Sequence, residues 1–258
     1  MSISKTKGQT VLKKELKGVP SNTLDKLEII AGYSEMQEYF LVGGTGLSIR
    51  VNHRLSEDLD FFAYNKFPGR KRDLPKIATI LKNINRDFPN VEIIDSTGKT
   101  YLKLLVDGVK VDFLSENRFH SPKEFDWIGN IRLPVKETLL GMKLVAIELR
   151  EEWRDVYDVG VLAKDYSIPE MYKHYSKVMS RYYCGSEEGR KNLFINAIKD
   201  LSNVEVIQEL YEDDDMLHLL GEKDKISPEY VSKMMSEKMV DFEREKLVPI
   251  KQKKLKGL

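Results

Sequence analysis

Asp58 and Asp60 stand two positions apart in "SEDLDFF", and a third acid, Asp112, interrupts the apolar run "VKVDFL". In a strand, alternate side chains share a face, so Asp58 and Asp60 project together while Leu59 and Phe61 pack behind them. Two carboxylates side by side repel, which raises one pKa unless a cation intervenes. Mg²⁺ or Mn²⁺ suits such a pair, because hard divalent ions take carboxylate oxygens and complete the shell with water and phosphate. Asp112 needs a partner too, since an unpaired carboxylate among apolar neighbours is costly. Upstream, Gly43 and Gly44 let the backbone approach a ligand closely, and the Thr45 hydroxyl with the first amides of a following helix can hold a phosphate. Each motif alone is common. Together they suit two-metal phosphoryl transfer: the metals polarise an α-phosphate, activate an attacking hydroxyl and steady the leaving pyrophosphate. The expectation is an NTP-using nucleotidyl transfer site with Asp58, Asp60 and Asp112 as metal ligands and Gly43, Gly44 and Thr45 on the nucleotide.

These residues need a sheet to hold them. "SNTLDKLEII" offers Ser21 or Thr23 as an N-cap before Leu24, Leu27 and Ile30, which predicts a helix over roughly 22–37. "EYFLVGG" then reads as a short strand, "TGLSIRV" as a short helix and "DLDFFAY" as the next strand. Leu74, Ile77, Ile80, Leu81 and Ile84 recur at helical spacing. Three strands follow, "VEIIDST", "TYLKLLVDG" and "VKVDFLS", the last two joined by Asp107-Gly108, a strong hairpin signal. From Pro134 the periodicity is helical, with further segments near 168–184, 187–201, 203–211 and 227–244. The expected fold class is α+β: a mixed sheet packed with helices over residues 1–133, then an all-helical domain over 134–258.

Composition narrows the partners. The 258 residues carry 42 basic and 41 acidic side chains, a net charge of +1, so no global field draws the protein to nucleic acid or to an anionic membrane. The lone Cys184 excludes an internal disulfide. No run of about 18 apolar residues occurs and the N-terminus lacks an apolar core, so the expectation is a cytoplasmic protein without a membrane partner. The loop "NKFPGRKRD" places Lys66, Arg70, Lys71 and Arg72 beyond the acids, where they could guide an RNA acceptor or simply be solvated.

The sequence resembles the AbiEii/AbiGii toxin family of the nucleotidyltransferase superfamily with the DNA polymerase β-type fold. Gly43-Gly44-Thr45, Asp58-x-Asp60 and Asp112 match the superfamily pattern. "GGTGLSI", "HRLSEDLDFF" and "KLVAIELREEWRDVYD" are similar to the family's GGTAL, HR-S-D-D and K-x-x-A-x-x-x-R-x-x-x-R-D-x-x-D signatures, over roughly residues 22–166. Gly46 departs from the usual alanine. On one continuous helix Lys143, Arg150, Arg154 and Asp158 fall within a narrow arc. That arc is either a cationic stripe for a triphosphate or a solvated face paired with Glu151, Asp155 and Asp158. The resemblance favours the stripe, and implies that Asp158 orients these bases or contacts the nucleotide. It also implies a nucleotidyltransferase toxin of a bacterial type IV toxin–antitoxin or abortive-infection system, with tRNA, another RNA or a protein as acceptor and a cognate antitoxin as partner. Transfer to a small molecule, as in antibiotic-modifying enzymes, and a non-catalytic nucleotide-binding module are the alternatives.

Overall fold

The computed structural model describes residues 16–65, 72–149, 152–179, 185–212 and 226–255. Lys66, Arg70, Lys71, Arg150, Cys184 and the acidic run at 213–215 lie outside them. The described chain divides into two compact units between Leu139 and Leu140.

The first unit is built on a seven-stranded mixed sheet. Its strands are β1 (Tyr39–Leu41), β2 (Leu59–Tyr64), β3 (Val91–Thr97), β4 (Tyr101–Val106), β5 (Val109–Glu116), β6 (Phe125–Ile128) and β7 (Ile131–Pro134). Across the sheet they run β3-β4-β5-β2-β1-β7-β6. The β2–β5 and β1–β7 pairs are parallel, whereas β1–β2 and β4–β5 are antiparallel. Period-two alternation sorts the faces. Leu59, Phe61, Leu104, Val111 and Phe113 enter one core with Leu27 and Ile30 of α1 (Ser21–Ala31) and Ile80 and Ile84 of α3 (Ile77–Asp87). The opposite face carries Asp60, Asp112, Lys103 and Tyr101 in their register positions.

Local chemistry explains several boundaries. α1 is entered from Pro20, with no side-chain cap; Thr23, expected as a cap, instead donates to the Glu57 carbonyl at 3.0 Å. The helix ends at Ala31, ahead of Gly32, and a 3₁₀ turn over Ser34–Glu38 replaces the expected last turns. Asp107 and Gly108 both adopt positive φ, the left-handed geometry a two-residue hairpin requires. The β6–β7 hairpin is an addition to the sequence expectation. Gly129-Asn130 turns it, with Gly129 at φ 55°.

Beyond the sheet come α4 (Lys136–Leu149), α5 (Trp153–Leu162), α6 (Ile168–Val178), α7 (Glu187–Ser202), α8 (Val204–Glu212) and α9 (Pro228–Leu255). Trp153, Tyr157, Tyr175 and Phe194 are fully buried and anchor the helical unit's interior. Ser167 and Glu170 form a reciprocal capping box at the start of α6. No helix among the described residues is long and apolar enough to cross a membrane.

Candidate active site

A tight turn brings the glycines to the acids. β1 ends at Leu41, and the extended Val42 donates its N–H to the Asp60 carbonyl at 2.9 Å. The chain then enters α2 (Gly43–Val51) through Gly43, whose φ is 65°. A side chain at Gly43 would overlap the Asp60 carboxylate, and one at Gly44 would stand 2.6 Å from both an Arg54 guanidinium nitrogen and Ser56 Oγ. The double glycine is thus a steric requirement of the acid and of the buried Arg54 beside it.

Thr45 corrects the sequence reading. It is fully buried; its hydroxyl donates to the Asp58 carbonyl and lies 3.0 Å from Ser56 Oγ. The group expected on a phosphate is spent inside the protein, where it ties the start of α2 to the loop that delivers Asp58.

Asp60 and Asp112 are direct register partners across the parallel strands β2 and β5, and Asp58 precedes β2 by one residue. Asp112 Oδ1 is buried with no hydrogen-bond partner, while the Tyr101 hydroxyl lies 3.5 Å from Oδ2, at the far limit of hydrogen bonding. Burial raises the Asp112 pKa above the ordinary carboxylate range; the Asp58 charge adds to this and Lys103 opposes it. Burial, then Asp112 and Asp95, push Tyr101 up to about 12. An orphaned buried carboxylate oxygen beside a second carboxylate is a donor set that fits Mg²⁺ or Mn²⁺. Among the described residues, no three His, Cys, Asp or Glu side chains form a ready-made metal cage.

The helical signature folds differently from the expected single stripe. α4 is described as far as Leu149, and α5 starts at Trp153 after Glu152, which is extended at φ −117° and ψ 129°. Lys143 and Asp158 therefore lie on separate helices. The Lys143 ammonium is buried 2.6 Å from Asp155 Oδ1 and 2.7 Å from Asp158 Oδ2, and both acids are fully buried. In place of a phosphate-facing lysine there is an interior ion triad linking α4 to α5. Arg154 has a partly exposed side chain paired with Glu152 at 3.1 Å. Arg72, expected in the basic loop, pairs with Glu38 at 2.8 Å.

Two polar residues on the acid-bearing face, Tyr101 and Lys103, were absent from the sequence-derived site. The signal was available: counting outward from Asp107-Gly108 pairs Val106 with Val109 and so Lys103 with Asp112.

Comparison with known proteins bears on the family and the fold. The family model described as nucleotidyl transferase AbiEii toxin, type IV TA system, matches residues 29–244. An uncharacterised protein from Aquifex aeolicus is 31% identical over 143 residues, which is 54% of this chain and 65% of that protein, so this chain spans less than two thirds of that relative. JHP933 from Helicobacter pylori is similar in structure at 17% identity, with a TM-score of 0.54 over 91% of this chain and 99% of that one. Another Helicobacter pylori structure is similar at 18% identity and a TM-score of 0.54, over 87% of this chain and 98% of its own. At such identities the structural likeness speaks to the fold, which is nucleotidyltransferase-like. The sequence match speaks to descent: the chain belongs to the AbiEii nucleotidyl transferase toxin family.

Proposed function

We propose that the protein is a Mg²⁺- or Mn²⁺-dependent nucleotidyltransferase that moves a nucleoside monophosphate from an NTP to a hydroxyl of an RNA, tRNA included, as the toxin of a type IV toxin–antitoxin pair. The observation that carries this reading is the pairing of Asp60 with Asp112, whose Oδ1 is buried without a partner. Divalent ions held by Asp58, Asp60 and Asp112 would offset the carboxylate repulsion and neutralise charge on the reacting phosphate. The backbone at Gly43 and Gly44 supports the triphosphate, with Thr45 fixing that turn against Asp58. The acceptor oxygen bonds to the α-phosphorus as the bond to the β-phosphate oxygen breaks. Pyrophosphate leaves, and the hydroxyl proton passes to Asp112. Within the helical unit, Lys143 and Asp158 act by holding α5 against α4.

The test incubates the full chain with each of the four α-labelled NTPs, Mg²⁺ and total cellular RNA. RNA-borne label that needs the metal and disappears in Asp60→Asn and Asp112→Asn is the expected result. Absence of label with every NTP, or label from either variant equal to that of the wild type, would overturn the proposal. Induced expression should arrest growth with the wild-type chain and not with Asp112→Asn.

A further inference from the structure

The sheet order gives the proposed site a direction. The glycine turn follows β1, on one side of β2, and Asp112 lies on β5, on the other. An in-line displacement keeps the attacking and leaving oxygens on opposite sides of the α-phosphorus. With the triphosphate on the glycine turn, the acceptor must arrive over β5 and β4. Lys103 stands there. It is the register partner of Asp112 on β4 and of Asp95 on β3, so Asp95, Lys103, Asp112 and Asp60 form one row across four strands. Strand spacing places Lys103 about 5 Å from Asp112 and roughly 10 Å from Asp60 along that row.

Lys103 is the one cation in this row of carboxylates. It is half-buried, and among the described residues it closes no ion pair, acting on Asp112 only at longer range. A strand of phosphodiesters crossing Asp95 toward the acid pair is repelled unless a cation receives it. We propose that Lys103 is an acceptor-binding residue that holds the phosphate next to the reacting hydroxyl, so that the protein selects a phosphodiester-linked acceptor over a neutral one. The proposal rests on the nucleotidyl-transfer reading of the acid pair for the direction of approach.

Binding, measured without turnover, separates the two. A fluorescent single-stranded oligoribonucleotide is titrated with the full chain at several salt concentrations, for wild type, Lys103→Met and Lys103→Arg, alongside NTP affinity. Lys103→Met should bind the oligonucleotide roughly tenfold more weakly, with the slope of log affinity against log salt reduced by about 0.7, the value for one phosphate contact on a single strand. Lys103→Arg should retain both, and NTP affinity should be unchanged throughout. An unaltered slope in Lys103→Met, no oligonucleotide binding by the wild type, or an equal loss of NTP and oligonucleotide affinity would overturn it. Loss of binding in both variants together with a drop in thermal stability would assign Lys103 a structural role instead. Oligonucleotide binding by a wild type that transfers no label would count against the enzymatic reading and not against this contact.

Discussion

Gly43 and Asp60 are fitted to each other: the turn's left-handed φ of 65° and the Asp60 carboxylate together leave no room for a side chain. Gly43→Ala should therefore displace Asp60 and strain the turn, costing about 1–2 kcal/mol for the backbone alone. Transfer should fall by orders of magnitude, with a smaller loss of thermal stability. A variant that keeps wild-type turnover would show that Asp60 does not need its observed position.

Thr45→Val separates positioning from phosphate binding. The buried hydroxyl bonds to Asp58, so its loss should destabilise the first unit by about 1–3 kcal/mol and lower turnover, leaving KM for the NTP nearly unchanged. A selective rise in KM at full stability would restore the phosphate role expected from the sequence.

Lys143→Met should be the most damaging to folding. Removing the ammonium leaves Asp155 and Asp158 without it in the interior, a loss of about 3–5 kcal/mol by analogy with broken buried pairs. Urea melts read this directly. Near-wild-type stability with weakened NTP binding would point instead to a phosphate contact.

Glu148 should make the helical unit sensitive to pH. Burial raises its pKa from 4.5 to about 7, the Tyr175 hydroxyl bond opposing this only in part. Between pH 4.5 and 7 the folded chain holds a proton that the unfolded chain has lost, so stability falls as pH rises through that window and levels off above it. Glu148→Gln should flatten this dependence and be the more stable form at pH 8 in melts compared with wild type. A wild-type curve with no decline from pH 5 to 7 would contradict the assignment.

Much of the sheet and the acid motif was legible because it is local. Alternation in "VKVDFL" put Asp112 opposite Val111 and Phe113, and Asp107-Gly108 set the β4–β5 register residue by residue. The short β6–β7 hairpin escaped notice despite its Gly129-Asn130 turn, because strands of four residues carry little periodicity. The extended residue Glu152 also escaped, since the spacing of Lys143, Arg154 and Asp158 fits one long helix as well as two short ones.

The sequence by itself determined which residues are acids, where the chain must turn through glycine, and which strands are joined by hairpins, because backbone propensity and period-two alternation act between near neighbours. Only the tertiary structure decided that Asp60 stands beside Asp112, that the Thr45 hydroxyl faces Asp58 and that Lys143 is buried between two carboxylates. Each of these depends on elements distant in the chain packing apolar faces together. Whether a polar group meets solvent or the interior is a property of what covers it, which no local spacing encodes.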